Sequence, residues 1–106
     1  MSKDKKFDDG ELKELDKNMI LRALEYHFPG SKVYLFGSRA RGTNRPGADI
    51  DLAIDIGSKA DPHELNRARV TLEHLPIPFN VDIVDLHAVP QLLKDTILEE
   101  GIVWKN

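Results

Sequence analysis

Residues 37–56, GSRARGTNRPGADIDLAIDI, join a basic, glycine-rich stretch to a strictly alternating one. From Asp49 onward, aliphatic residues occupy every second position, and three aspartates and one alanine occupy the positions between them. An alternation of period two is typical of a β-strand with one buried face, so the other face of this strand is predicted to be acidic. Residues 37–47 hold three glycines, one proline and three arginines, which predicts a loop with room for one helical turn.

The segments on either side supply the other elements of a small domain. A helix is predicted over residues 9–26, and short β-branched and aromatic runs predict strands over 32–36 and 80–86, with an edge strand over 102–104. A further helix starts at Asp61, and another covers residues 90–100. The apolar stripe predicted for the first helix is Leu12, Leu15, Met19, Ala23 and Tyr26. This order predicts an α/β (α+β) fold in which helices pack on one face of a small sheet and leave the acidic face uncovered.

Composition limits the class of protein. The chain has 106 residues, 15 Lys and Arg against 18 Asp and Glu, a formal net charge of −3 and no cysteine. That length predicts a single domain over residues 9–106, after a flexible N-terminal tail over residues 1–8. The lack of cysteine excludes disulfides and thiol chemistry. No apolar run approaches the ~20 residues of a membrane span and the charged start is not a secretion signal, so we expect a cytoplasmic protein without membrane contact. The net charge argues against direct nucleic-acid binding.

The acidic face carries a candidate metal site. Asp49 and Asp51 lie two residues apart on one side of the predicted strand, roughly 6.6 Å apart at the backbone. Their side chains can converge on hard cations such as Mg²⁺ or Mn²⁺, which prefer oxygen ligands. A third carboxylate would come from the neighbouring strand, from Asp82 or Asp85. If Val81 and Ile83 face the core, alternation places Asp82 on the acidic side with Asp51 and turns Asp85 toward the core at the strand end. Alternation therefore favours Asp82.

The glycine-rich loop is a candidate phosphate site. Gly37 and Ser38 directly follow a predicted strand, where free backbone N–H groups and the Ser38 hydroxyl can hold an anion. Arg39 and Arg41 add positive charge and forked donors that match phosphate oxygens. The pattern therefore predicts a loop that binds a polyphosphate beside carboxylates that bind the bridging metal ions.

Gly37-Ser38, ten intervening residues and then Asp49-Ile50-Asp51 resemble the G-S-x10-D-x-D signature of the nucleotidyltransferase superfamily related to DNA polymerase β. The GSRARG and VDIVDL segments are similar to those of its minimal nucleotidyltransferase (MNT) branch, and the resemblance extends from about Leu12 to Trp104. It implies a polymerase β-like fold with a small mixed sheet. It also implies Gly37 and Ser38 on the triphosphate, Asp49 and Asp51 as metal ligands, and Asp82 as third carboxylate and general base.

The same resemblance implies an activity and a partner. MNT proteins resemble the antitoxin halves of two-gene systems, so the implied reaction is Mg²⁺-dependent transfer of AMP from ATP to a tyrosine of a helical HEPN-type toxin, in a hetero-oligomer. Relatives often have Ser or Thr before the first aspartate, where this chain has Ala48. That difference keeps open an alternative, a nucleotide-binding module that neutralises or assists its partner by contact without turnover. A third hypothesis is transfer to a small molecule or to RNA.

Overall fold

The computed structural model describes residues 12–106, so the predicted tail over residues 1–8 and the predicted helix start at residue 9 lie outside the described residues. Within residues 12–106, helices and strands follow the predicted order. The elements are α1 (Glu14–His27), β1 (Lys32–Phe36), α2 (Ser38–Arg41), β2 (Ile50–Asp55), α3 (Pro62–Glu73), β3 (Val81–Asp85), α4 (Gln91–Glu100) and β4 (Ile102–Lys105). No helix in this part of the chain has the length and apolar character needed to cross a membrane.

The four strands form one mixed sheet in the order β3-β2-β1-β4. The central strand β1 is antiparallel to β2 and to β4, whereas β2 and β3 are parallel and are joined through α3. Asp61 caps α3 by accepting a hydrogen bond from the His63 N–H at 2.9 Å, and Pro62 occupies the first helical position, as the sequence predicts. The predicted fold class, a small mixed sheet with helices, is confirmed.

Helices α1 and α3 cover one face of the sheet and enclose the main core. The buried residues of α1 are Asp16, Ile20, Ala23 and Leu24, and the last three join the core cluster with the strand residues that alternate inward. The predicted stripe is therefore partly wrong: Leu15 is 69% exposed and Tyr26 is 81% exposed. Two apolar stripes overlap on this helix, and burying Ile20 and Leu24, which are fully enclosed, turns Leu15 and Tyr26 toward solvent.

Helix α4 packs on the opposite face of the sheet, which corrects the prediction that all helices share one face. Its residues Leu93 and Ile97 join a second cluster with Ala53 and Leu86, to which the β1 and β3 side chains Tyr34, Phe36 and Val84 also belong. Ala53 stands between the aspartates on β2, so the middle of the acidic face is apolar. Such a patch is stabilised when another element packs over it. The carboxylates at the start of β2 and β3 lie beside this cluster: Asp49 and Asp82 are exposed and Asp51 is half-buried.

Candidate active site

The parallel register of β2 and β3 brings two of the predicted site carboxylates together. Asp51 is directly opposite Asp82 across the two strands, and Asp49 lies immediately before β2. Asp85 is opposite Ile54 instead, is 3% exposed, and accepts hydrogen bonds from the backbone N–H groups of Ala60 (2.7 Å) and His87 (3.0 Å). The structure thus places Asp82, and not Asp85, beside Asp51. Asp85 holds the loop before α3 and the turn after β3.

The electrostatics of these carboxylates depend on one another. The pKa of Asp51 is raised, first because the group is partly buried and then because the negative charges of Asp82 and Asp49 are near; Arg39 and Arg41 act in the opposite direction. Crowded carboxylates with a raised pKa are stabilised when a cation lies between them, and oxygen donors suit Mg²⁺ or Mn²⁺. As the side chains stand, no three His, Asp or Glu groups within residues 12–106 are arranged around one ion. The donor set, two exposed carboxylates and the half-buried Asp51, fits a divalent cation, and holding it requires the three side chains to rotate toward each other.

Gly37 forms the turn that brings the glycine-rich loop against Asp51. Its φ of +78° and ψ of −157° are accessible essentially to glycine alone. A Cβ atom at this position would lie 2.5 Å from the Asp51 carboxylate oxygen Oδ2, so the site also lacks space for a side chain. The backbone N–H groups of Ala40 and Arg41 both donate to the Gly37 carbonyl at 3.1 Å and close the short helix α2. The predicted single helical turn is confirmed.

The two predicted phosphate-binding arginines lie in different environments. The Arg41 side chain is 49% exposed and makes a long contact of 3.4 Å with Glu100 Oε1. Arg39 is 3% exposed, and its Nε and Nη2 donate to the Ala48 carbonyl at 3.0 and 2.7 Å. Its guanidinium carbon lies 4.7 Å from the centroid of the Phe79 ring. Arg41 therefore keeps the solvent-facing position expected of a ligand-binding group, whereas Arg39 points into the protein.

Two concave surfaces meet at Gly47, beside Asp49. One, of about 480 Å³, is lined by Ser38 and by residues 43–48 of the loop. The other, of about 440 Å³, is lined by Asp49 and Asp82 together with Glu73, Leu75 and residues 77–81. The sequence predicts neither this second cleft nor the contact of Phe79 with Arg39. The α3–β3 segment LPIPFN carries only a turn signal in the sequence, so nothing in it indicated either role.

The sequence of this chain matches a known protein family and is similar to two named proteins. A family model described as "Polymerase beta, Nucleotidyltransferase" matches residues 18–105. The protein adenylyltransferase MntA of Shewanella oneidensis is 30% identical over 94 residues, which are 85% of this chain and 65% of MntA. The chain therefore spans less than two thirds of that relative. A protein of Methanocaldococcus jannaschii, described provisionally as a protein adenylyltransferase, is 32% identical over 71 residues, covering 67% of this chain and 75% of that protein.

Solved structures are similar as well. A chain of a toxin–antitoxin complex with AMP-PNP superposes with a TM-score of 0.71 at 27% identity. The superposition covers 84% of this chain and 72% of that chain. The fold described above is thus similar to that of a chain in a toxin–antitoxin complex with AMP-PNP.

Proposed function

This chain belongs to the polymerase β nucleotidyltransferase family, and from that premise we propose that it transfers AMP from ATP to a tyrosine hydroxyl of a HEPN-type partner. In this proposal the chain is the antitoxin of a toxin–antitoxin pair. The observation that carries it is the register that sets Asp82 opposite Asp51, next to the turn at Gly37. An adenylyltransferase relative and a structural relative in a toxin–antitoxin complex with AMP-PNP support the reaction and the partner class.

The nucleotide is assigned to the concave surface at Ser38. Ser38 lines this surface, and its hydroxyl can donate to a phosphate oxygen. The space that a Gly37 side chain would fill is taken by the Asp51 carboxylate, so the proposed metal site lies directly beside the phosphate site. Arg41 supplies positive charge from an exposed position, and its weak contact with Glu100 is easily exchanged for a phosphate. Together these residues bind the β- and γ-phosphates, which leave as pyrophosphate.

Asp49, Asp51 and Asp82 are the residues that would hold a divalent cation, Mg²⁺ or Mn²⁺. When bound, the cation neutralises charge on the phosphates and on the leaving pyrophosphate. The three carboxylates supply its oxygen ligands, and Asp51, which contacts the Gly37 turn, links the metal site to the phosphate site.

The acceptor is assigned to the second cleft, at the exposed edge strand β3. An in-line displacement needs the attacking and leaving oxygens on opposite sides of the α-phosphorus. The Asp82 carboxylate takes the phenolic proton, the phenolic oxygen bonds to the α-phosphorus, and the bond to pyrophosphate breaks. The charged residues that line this cleft, Asp49, Glu73 and Asp82, are all acidic. An acidic cleft repels a nucleic-acid acceptor and favours a neutral or basic protein segment.

Binding without turnover is the second candidate function. It is favoured by two observations: the three carboxylates do not surround a common point, and Ala48 lacks the hydroxyl often found before the first aspartate. In that case the chain holds ATP and its partner but transfers nothing.

Labelled ATP separates the two functions. The protein, Mg²⁺ and the product of the neighbouring gene are incubated with ATP labelled on the α-phosphate, and in parallel with ATP labelled on the γ-phosphate. We expect label on the partner from the α position only, no transfer by Asp51→Asn, and normal transfer by Asp95→Asn, an exposed aspartate on α4. Absence of transfer by the unmodified protein, with ATP and partner still bound, would refute the enzymatic proposal.

A further inference from the structure

Arg39 occupies a position that the proposed reaction does not explain. It belongs to the glycine-rich turn, yet it is 3% exposed, as enclosed as the aliphatic core. A buried arginine requires compensating contacts, since its charge is costly to remove from water. Its hydrogen bonds and its aromatic contact reach two other segments of the site. These contacts indicate which backbone segments the side chain holds together.

The first contact fixes the residue before the first carboxylate. Nε and Nη2 donate to the same Ala48 carbonyl at 3.0 and 2.7 Å, which is a forked contact that a planar guanidinium makes without distortion. The Ala48 N–H donates to the Arg45 carbonyl at 3.1 Å, so both backbone polar groups of Ala48 are engaged. Asp49 follows directly, and its backbone is thereby held against α2.

The second contact reaches the segment that leads into β3. The guanidinium stacks over the Phe79 ring with its central carbon 4.7 Å from the ring centroid, a cation–π arrangement. The next residue, Asn80, accepts a hydrogen bond from the Ile50 N–H at 2.9 Å, and β3 with Asp82 begins one residue later. One side chain therefore joins the phosphate turn, the start of β2 and the approach to β3.

We propose that Arg39 is a positioning residue that fixes the backbones around Asp49 and Asp82 relative to the Gly37–Ser38 turn. The inference rests on the proposed function, because it concerns the carboxylates of that site. The alternative is the role predicted from the sequence, a phosphate ligand. The buried guanidinium instead donates two hydrogen bonds to the Ala48 carbonyl. Burial lowers the pKa of Arg39, and the nearby charges of Asp49 and Asp51 offset part of that effect.

The test compares Arg39→Met and Arg39→Lys with Lys105→Met. Lys105 is a matched control, because its Nζ donates to the Ser31 carbonyl at 2.8 Å, before β1 and at the opposite end of that strand from Gly37. Three quantities are measured: binding of Mn²⁺ alone by electron paramagnetic resonance, the Kd for ATP, and kcat for AMP transfer. Thermal unfolding reports on the fold of each variant.

We expect Arg39→Met to weaken Mn²⁺ binding and to lower kcat, each by about 10- to 100-fold. Mutations of residues that support metal ligands generally have effects of this size. The Kd for ATP should change by less than about threefold, because in this proposal Arg39 does not bind the phosphates. Arg39→Lys should recover part of both losses because it keeps the charge without the fork. Lys105→Met should alter only the melting temperature.

Two results would overturn the proposal. A loss of ATP affinity with unchanged Mn²⁺ binding would make Arg39 a phosphate ligand, and a change in melting temperature alone would make it a purely structural residue. If Arg39→Met does not fold, Phe79→Leu removes the stacking partner and should weaken Mn²⁺ binding in the same direction; unchanged binding would contradict us. If the unmodified protein transfers no AMP, the proposed function fails, while Mn²⁺ binding still decides the role of Arg39.

Discussion

Replacement of Gly37 by alanine tests the contact between the phosphate turn and the carboxylates. The backbone there has φ +78° and ψ −157°, a region that costs a residue with a Cβ about 1–3 kcal/mol. For a domain of this size that corresponds to a drop in melting temperature of roughly 4 to 20 °C. The added methyl group would also stand 2.5 Å from Asp51 Oδ2, a separation at which one of the two groups must move. The carboxylate is the more mobile of the two, so we expect it to rotate away.

That rotation is expected to remove activity beyond the loss of folded protein. A displacement of about 1 Å in a reacting constellation can reduce rate about 100-fold, and Asp51 stands at the centre of the proposed metal site. The assay is AMP transfer from α-labelled ATP at a temperature where the variant is fully folded by circular dichroism. Gly30→Ala is the control, because Gly30 has φ +77° and, apart from Gly30 and its two chain neighbours, no heavy atom of residues 12–106 lies within 4 Å of its would-be Cβ atom. We expect that variant to lose stability and keep its transfer rate. Equal activity of the Gly37 and Gly30 variants would refute the argument.

Four further substitutions test the charges around the site. Because burial and the charges of Asp82 and Asp49 raise the pKa of Asp51, its ionised form is disfavoured in the folded state and stability falls as pH rises through that pKa. Asp51→Asn should therefore melt at a higher temperature than the unmodified protein at pH 7 without divalent cations, with the gain vanishing near pH 4; a lower melting temperature at pH 7 would contradict this. Asp85→Ala should cost about 1–3 kcal/mol in urea unfolding, because it strands buried N–H donors. Asp82→Ala, at an exposed position, should change stability by under about 0.5 kcal/mol yet abolish transfer; loss of transfer in the folded Asp85 variant alone would reverse the assignment. Burial favours a higher pKa for Asp55, but hydrogen bonds from the Gly57 N–H and the His87 ring outweigh it and the pKa is lowered. His87→Ala should raise the pKa of Asp55 toward its usual value and move the acid-induced loss of stability to higher pH, as followed by carboxyl NMR titration; an unchanged titration would refute the link.

The features that the sequence predicts correctly are those set by local periodicity. The alternation after Asp49 determines which residues of β2 face the core, and the same parity applied to β3 selects Asp82 over Asp85. Asp61 and Pro62 mark the start of α3 through hydrogen bonds within one helical turn. These inferences hold because the forces that decide them act between residues close in the chain.

The features that the sequence did not predict depend on partners far away in the chain. The side of the sheet taken by α4 depends on Ala53 and two β1 aromatic residues, which leave an apolar patch between the carboxylates. In the first helix, two apolar stripes compete, and only packing against α3 and the sheet selects the one with Ile20 and Leu24. Binary pattern alone gives both alternatives equal weight, so tertiary contacts decide between them.

Ala48 illustrates how backbone contacts replace a side-chain signal. From the sequence, an alanine where relatives often have a hydroxyl residue favours weaker orientation of the carboxylate that follows. In the structure, the Ala48 carbonyl accepts both donors of the Arg39 fork, and the Ala48 N–H donates to Arg45. These bonds constrain the backbone at the start of β2 whatever side chain stands at position 48. The orientation of Asp49 therefore depends on an arginine ten residues earlier in the chain, and the lost hydroxyl is a weak argument for the function without turnover.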